Sequence, residues 1–388
     1  MTVQLSSQQQ EAGAAFREFA REAVEPHAAE WDRVGAIPAS FVRDFADRGY
    51  LAALVPAAYG GLEHDAVTFG LLNEALGQAC SSVRSLLTVH SMVVQALARW
   101  GSAPQREKWL PALAAGDRIG AFALTEPDAG SDASSVRTIA ARTPGGYALT
   151  GHKRWITYGQ RADAFLVFAR YEDRPAAFLV GREAPGLTVI PVEDMLGTRA
   201  SMLAELRFQD CRIPQEALVG RPGFGITAVA ATALDTGRYS VAWGCAGILG
   251  AALEVSRTHA ARRTQFGSPL REHQLIQQKL ADISTSYTAA RLLCHEAGVL
   301  KDRGDPRTVD ATWMAKYFAS CRAFEAASDA VQICGAEGCA PGHRAGRLLR
   351  DAKVMEIIEG STQLQQIHLA QAAYHNAPPE SGQERGTG

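Results

Sequence analysis

The sequence predicts an α+β multidomain protein in three parts: an N-terminal α-helical domain, a middle antiparallel β domain and a C-terminal four-helix-bundle domain. Three observations predict it. Residues 1–117 carry apolar side chains at three- and four-residue spacing. Residues 118–225 switch to short runs rich in β-branched and aromatic residues, bounded by turn residues. Residues 226–376 return to long Ala- and Leu-rich helical segments. The last stretch, 377–388, reads as a disordered tail.

The helical segments of the first part are "FREFAREAVEPHAAEWD", "SFVRDFADRG", "VTFGLLNEALGQ" and "SLLTVHSMVVQALARW", punctuated by Gly49, Gly60–Gly61 and Gly101. The strands of the second are "AFLVFARY", "AAFLVG", "LTVIPV" and "AELRFQDCRIP", with turns at "TPGG" and "EAPG". No helix alternates with them, which disfavours a parallel Rossmann-type sheet. The third part holds "GCAGILGAALEVSRTHAARR", "HQLIQQKLADISTSYTAARLLCHEAGVL" and "TVDATWMAKYFASCRAFEAASDAVQIC". These suit an antiparallel bundle with short loops.

Composition narrows the function classes. The chain has 388 residues, 47% hydrophobic and 21% charged, ordinary for a globular protein. A formal net charge of -2 supplies no basic field for nucleic acid or an anionic membrane, so neither is expected as a partner. The seven cysteines are scattered, without a C-x-x-C pair; neither a disulfide framework nor a metal site is indicated. The amphipathic N-terminus lacks a signal-peptide core and no run reaches membrane-spanning length, so a cytoplasmic location is expected. No G-x-G-x-x-G follows a strand, which disfavours a nicotinamide cofactor.

One carboxylate stands out. In "RDAKVMEIIEGSTQLQQ" (350–366), read as a helix, Val354, Met355, Ile357 and Ile358 form an apolar arc with Glu359 at its edge. Gly360 suits a left-handed helix end and Thr362 with Gln365 a capping box. The helix dipole and the apolar surround both disfavour ionisation, so a raised pKa is expected. That is costly unless it serves something. On these residues alone, an interhelical glutamate paired with an arginine is the plainer reading.

Other segments bear on it. "AFALTEPDAGSD" (121–132) offers backbone N–H groups with the hydroxyls of Thr125 and Ser131, suited to a planar polar ring or a phosphate. "GHKRWITYG" (151–159) spaces Trp155 and Thr157 two apart, on one face of a strand, as a wall for a flat heterocycle. "RRTQFG" (262–267) offers guanidinium groups for phosphate.

Together and in order, "FALTEPDAGSD", "GHKRWIT", "LGTRASMLAELRFQDCRIP", "LDTGR", "RRTQFGSPLREHQ", "VQICGAEG" and "RDAKVMEIIEG" resemble the acyl-CoA dehydrogenase family over about residues 80–375. The resemblance implies non-covalent FAD between the β domain and the bundle. By motif position Phe122, Leu124, Thr125, Gly130 and Ser131 are implied at the flavin, with Trp155 and Thr157 against its ring system and Ser361 and Gln363 just after the base. Arg263, Gln265, Phe266, Gln274, Gln332 and Gly335 match positions that hold the FAD of a second subunit, so a homodimer or homotetramer is implied. Glu359 matches the catalytic base that takes the α-proton of a thioester while a β-hydrogen leaves as hydride to flavin N5. The implied electron acceptor is an electron-transfer flavoprotein, or oxygen in oxidase relatives.

Several positions leave the fatty-acyl pattern of the family. Tyr158 stands where Asn is usual, Ala336 replaces a glycine, and Ile358 stands where many members have Tyr, changing the acyl-pocket wall. In "CSSVRSLLTVHSM" (80–92), which lines the acyl pocket in the family, Arg84, Ser85 and His90 are polar. An arginine facing a buried pocket is costly without an anion, which points to a short acyl group bearing a carboxylate or hydroxyl. The other outcome is an Arg84 that points outward or pairs with a nearby Asp or Glu. Ser131, Asp235 and Arg238 complete the implied substrate contacts, the last two along the pantetheine channel.

"AAEWDRVGAIP", "CSSVRSLL", "SVAWGCAGIL" and "RDAKVMEIIEGST" look closest to acyl-carrier-protein dehydrogenases of hydroxymalonyl or methoxymalonyl extender-unit biosynthesis. The expected substrate is therefore an acyl thioester on an acyl carrier protein or CoA. The basic run "HRAGRLLR" (343–350) is a candidate dock for an acidic carrier. Rival readings are a catabolic short- or branched-chain acyl-CoA dehydrogenase, an aminoacyl-carrier-protein dehydrogenase, and a non-catalytic nucleic-acid-binding member.

Overall fold

The computed structural model describes residues 4–375; the tail predicted over 377–388 lies outside the described residues. The chain enters through α1 (Ser7–Phe19), α2 (Ala28–Val34), α3 (Ala39–Asp47), α4 (Ala66–Ala79), α5 (Ser81–Trp100) and α6 (Ala103–Ala114). α1 and α6 each open on a capping box, Ser6 with Gln9 and Ser102 with Gln105, which satisfies two otherwise orphaned donors per helix. α4 and α5 are buried on nearly every side, so their sequences are apolar beyond a single stripe.

The middle of the chain forms one eight-stranded sheet. Its strands are β1 (Gly120–Ala123), β2 (Ile139–Thr143), β3 (Gly146–Ile156), β4 (Ala164–Tyr171), β5 (Arg174–Gly181), β6 (Leu187–Pro191), β7 (Ala204–Pro214) and β8 (Leu218–Val219). The order is β6-β7-β3-β2-β4-β5-β8, with β1 also on β4. Pairing is antiparallel except along β4, where β1 runs parallel beside Ala164–Val167 and β2 parallel beside Arg170–Tyr171. Pro144 and Gly145 make the turn between β2 and β3, and the positive φ of Gly145, 84°, is why glycine serves there.

The β3–β7 register slips by one residue between Lys153 and Ile156. Trp155 is the extra residue of this bulge, with φ 61°. The two-residue alternation that was expected to place Trp155 and Thr157 on one strand face is therefore broken, and Thr157 lies in the turn after β3.

After a π-helical turn over Gly225–Ala230 comes the bundle: α7 (Ala231–Arg262), α8 (Gln274–Asp302), α9 (Thr308–Cys334) and α10 (Arg344–Met355), with α11 (Thr362–His375) packed on α9. A short hairpin, β9 (Thr264–Gln265) and β10 (Ser268–Pro269), links α7 to α8. By length and composition the helix over Gly225–Arg262 would suit a membrane, contrary to the expectation that no run does. Its most apolar window is 78% buried inside the protein, as in the central helix of a packed core.

Two apolar cores result. One joins the entry helices, the sheet and the Tyr239–Trp243 stretch of α7; the other fills the bundle. α4 meets α7 backbone to backbone: a Cβ on Gly77 would lie 2.3 Å from the Gly244 carbonyl oxygen. Glycine here permits an approach no side chain allows.

The segment after β1 is tied down by a buried ion pair. Lys153 Nζ lies 2.7 Å from Glu126 Oε1 and donates at 2.9 Å to the Leu124 carbonyl. Glu126 also accepts from Arg137 N, Thr138 N and Thr138 Oγ1. Removing one partner of a buried pair leaves the other uncompensated, so Lys153→Met should destabilise the protein by about 3 kcal/mol. Denaturant unfolding of the variant checks this.

Candidate active site

The site grows from one face of α7. Gly237 and Gly244 stand seven residues apart, two helical turns, and so share a face. Each lets in a side chain from elsewhere. A Cβ on Gly237 would meet Glu359 Oε2 at 2.5 Å, and a Cβ on Gly244 would meet Arg84 Cδ at 2.4 Å and Nε at 2.9 Å. The carboxylate and the guanidinium stem therefore lie along the same helix face, about 10 Å apart by the helical rise.

Glu359 is not on the last turn of a helix as expected. α10 ends at Met355, and Glu356–Gly360 form a compact turn held by Ile358 N to the Val354 carbonyl at 3.1 Å and Thr362 N to the Glu356 carbonyl at 3.0 Å. Glu359 and Gly360 both have positive φ, 56° and 95°. Thr362 is the first residue of α11, and Gln365 forms no capping box with it; its amide donates to the Gly360 carbonyl at 2.6 Å. Glu359 Oε2 is buried without a hydrogen-bond partner. Burial pushes this carboxyl up to about 7, against the opposing pull of Arg238, Lys316 and Arg84. The raised pKa was expected; its cause is loss of water, not a helix end. The carboxylate is also not simply an interhelical salt-bridge partner, since the Arg238 Nε beside it donates to the Glu359 backbone carbonyl at 3.0 Å.

Arg84 is 1% exposed and forms no ion pair with a carboxylate among the described residues. Its Nη1 donates to Thr88 Oγ1 and its Nη2 to Ser85 Oγ, each at 2.9 Å, and Nη2 also meets Met355 Sδ at 3.2 Å. Nε has no partner. Behind it, Thr88 bonds Ser240, Ser240 donates to Asn73, and Asn73 donates to the Phe69 carbonyl. This buried chain of hydroxyls and an amide orients the guanidinium. His90, grouped with Arg84 in the sequence, faces the other way: its Nδ1 accepts from Gly120 N of β1 at 3.3 Å, and burial lowers its pKa to about 4.

Of the other expected substrate residues, Arg238 stacks 4.0 Å from the Trp313 ring centroid, and Asp235 is held by Lys301. Ile358 lies in the turn beside Glu359 and is half-buried. The arginines of "HRAGRLLR" turn inward and offer no docking patch: Arg344 pairs with Glu25 and Glu254, Arg347 donates to the Ala79 carbonyl, and Arg350 pairs with Asp32.

The residues expected around the flavin fall into two groups. In the first, Phe122 packs on Phe168, Leu124 is buried, Thr125 is half-buried, and Gly130 and Ser131 are exposed. Trp155 is 43% exposed with the Arg154 guanidinium 4.3 Å from its ring centroid. Beyond it Tyr158 N donates to the Ser201 carbonyl, and the same loop docks on α10 through Thr198 N to Asp351 at 2.6 Å. Ser361 is half-buried and Gln363 exposed at the start of α11. The second group lies on the surface. Arg263, Gln265, Gln274, Gln332 and Gly335 are exposed, and Phe266, at the tip of the β9–β10 hairpin, is 96% exposed. Arg263 also borders a surface groove of about 510 Å³ lined by Arg262, Cys334, Glu337 and His343.

A planar cofactor fits the first group. An exposed indole fixed in a bulge offers a wall, Gly130 and Ser131 offer unshielded backbone, and the buried Gln365 Oε1 beside Ser361 lacks a partner. Sequence reasoning missed Gly237, Gly244 and Lys316 as parts of the site. A glycine inside a long helix costs about 1 kcal/mol against alanine, which was the signal for a close approach on α7.

Family models match the chain along nearly its whole length: the N-terminal domain of acyl-CoA dehydrogenase over residues 6–117, the middle domain over 121–211 and the C-terminal domain over 223–374. The chain belongs to the acyl-CoA dehydrogenase family. It is 39% identical over 360 residues to the mitochondrial short-chain specific acyl-CoA dehydrogenase of Mus musculus, covering 91% of this chain and 87% of that one. Its fold superposes on FkbI, which serves biosynthesis of the methoxymalonyl extender unit of the FK520 polyketide, with TM-score 0.87 and 35% identity over 95% of this chain and 100% of that one. It superposes on a glutaryl-CoA dehydrogenase of Mycobacterium smegmatis in complex with FADH2 with TM-score 0.91 and 29% identity, over 96% of each chain. Members of this family depend on FAD and oxidise the CH–CH bond of an acyl thioester; so does this acyl-CoA dehydrogenase family chain.

The Gly237 contact gives a direct test of the site. Gly237→Ala puts a methyl 2.5 Å from where Oε2 now lies, which must displace the carboxylate by about 1 Å. FAD content should be unchanged and kcat/KM should fall about 10²-fold, measured by anaerobic flavin bleaching with a thioester substrate.

Proposed function

We propose that this acyl-CoA dehydrogenase family member oxidises a short, polar acyl group carried as a thioester on an acyl carrier protein, in biosynthesis of a methoxymalonyl-type polyketide extender unit. The observation that carries the reading is Arg84, a buried guanidinium with no carboxylate partner among the described residues, on the same face of α7 as Glu359. An unpaired buried cation is costly, and an acyl tail with a carboxylate or hydroxyl offsets that cost on binding. Glycine contacts two turns apart separate Oε2 from the guanidinium stem by about 10 Å. Similarity to FkbI supports the extender-unit role, and the glutaryl group of the other neighbour's name is an acyl chain of this polar kind.

Glu359 is the base. Its carboxylate takes the α-proton, and Arg238 holds the backbone carbonyl behind it so that the side chain is presented over Gly237. Bound FAD supplies the acceptor for the hydride that leaves the β-carbon. Trp155, Thr157, Gly130, Ser131, Ser361 and Gln363 of the same chain would hold the flavin, and the exposed hairpin with Phe266 would reach the flavin of a second subunit in a homodimer or homotetramer. Reoxidation falls to an electron-transfer flavoprotein or oxygen.

Two tests follow from these roles. The base must be ionised to accept a proton. With its pKa near 7, kcat/KM should be flat above about pH 7 and fall as pH drops below it. Glu359→Gln should lose on the order of 10³-fold or more of flavin bleaching at every pH, and a retained rate would remove Glu359 as the base. For the acyl group, wild type and Arg84→Met are offered glyceryl- and prolyl-carrier proteins, glutaryl-CoA and butyryl-CoA anaerobically. Loss of about 10²-fold on glyceryl-carrier protein and glutaryl-CoA, with FAD content preserved and the butyryl and prolyl rates changed far less, is the expected result. Fast turnover of butyryl-CoA alone, unaffected by Arg84→Met, would favour the rival reading of a short-chain acyl-CoA dehydrogenase, the kind of enzyme the mouse relative is named as.

A further inference from the structure

Lys316 lies a third of the way along α9 with its side chain fully buried. The lysines that form ion pairs among the described residues are Lys153, Lys279, Lys301 and Lys353; Lys316 is not one of them. Its Nζ donates instead to the Gly360 carbonyl at 2.9 Å. That carbonyl already receives the Gln365 amide at 2.6 Å, so satisfying it does not require a lysine. An ammonium in such a place is costly, and methionine would fill similar space without the charge.

The turn it reaches is strained. Glu359 has φ 56°, a conformation that costs an L-residue other than glycine about 1 kcal/mol. Two cations grip successive carbonyls of this turn: Arg238 Nε at Glu359 and Lys316 Nζ at Gly360. We propose that Lys316 is a positioning residue for the base: its ammonium fastens the Gly360 carbonyl, so that the turn presents the Glu359 carboxyl over Gly237, and its charge favours the ionised carboxylate. The groups that face Lys316 are Glu359 from the turn, Arg238 and Cys245 from α7, and Cys321 from α9 itself; Arg84 of α5 also acts on Glu359. Burial lowers Lys316 to about 8 and raises Glu359 to about 7.

The inference rests on Glu359 being the base, so Glu359→Gln is measured in parallel. The experiment compares holoenzymes of wild type, Lys316→Met, Lys316→Gln and Lys316→Arg for FAD content, thermal midpoint and the pH profile of kcat/KM. Losing the cation raises the pKa of the base, so the acidic limb should move up by on the order of one pH unit in the Met and Gln variants. In the Arg variant it should stay near its wild-type place. Lys316→Met should keep its FAD and its thermal midpoint, because an apolar side chain replaces a buried charge. Should the Met variant fail to hold FAD, the Gln variant, which keeps a donor without the charge, gives the same reading. An acidic limb that stays put in FAD-loaded Met or Gln variants, with Glu359→Gln inactive, overturns the role of Lys316 and leaves the base intact. An active Glu359→Gln overturns the base itself.

Discussion

The site depends on how closely other parts of the chain can approach α7. Three glycines on two helices, Gly77, Gly237 and Gly244, remove the side chains that would hold α4, Arg84 and Glu359 away. The crossing of α4 on α7 sets the position of α5, which follows α4 after Cys80. α5 then delivers Arg84 across Gly244 with no room for water around the guanidinium. A methyl at any of these positions would push backbone or charge apart by an ångström or more, in a core dense enough to pass the shift on. The helix gives up propensity at each glycine, and the chain gains a face on which a buried carboxyl and a cation lie two turns apart.

Burial then does electrostatic work that no single ion pair could do. Glu359 is surrounded by Arg84, Arg238 and Lys316, and still its carboxyl is raised to about 7 because loss of water outweighs all three. None of the three makes a direct ion pair with it: Arg238 and Lys316 hold backbone carbonyls, and Arg84 is spent on hydroxyls and a thioether. A paired glutamate would be a poor base, held ionised by its partner. This one is close to the balance between its two protonation states, which is where a proton acceptor near neutral pH is most effective.

The division into helices, sheet and helices was legible because periodicity is a local property. "AFLVFARY" and "AELRFQDCRIP" are β4 and β7 residue for residue. What local pattern could not show is where the backbone leaves its regular path. The bulge at Trp155 breaks the alternation of β3, and the turn at Glu356–Gly360 ends α10 four residues before the glutamate. Both irregular places carry residues assigned to chemistry, where tertiary contacts hold conformations that propensity opposes. The inward turn of Arg344, Arg347 and Arg350 was illegible for a related reason: a basic run reads as surface until its partners, Glu25, Glu254 and Asp32, are brought from far along the chain. Arg84 is the opposite case. Its polarity in an apolar helix was visible, and only the fold shows that no carboxylate meets it.

The surplus of positive charge around Glu359 has a consequence for the proposed reaction. On the role proposed for Glu359, taking the α-proton moves the negative charge from the carboxylate onto the acyl thioester. The cations stay where they are, fixed by hydrogen bonds to Gly360, Glu359, Thr88 and Ser85. They favoured the carboxylate before transfer and favour the displaced charge after it, so the pocket need not reorganise as the proton moves. At a buried site such fixed charges act through a low dielectric, and their effect on a charge-shifting step is large. An acyl group that brings its own anion to Arg84 would neutralise one of these cations and leave Arg238 and Lys316 to act on the reacting end. In that arrangement Arg84 reads the far end of the acyl chain, and the two cations at the turn serve the proton transfer.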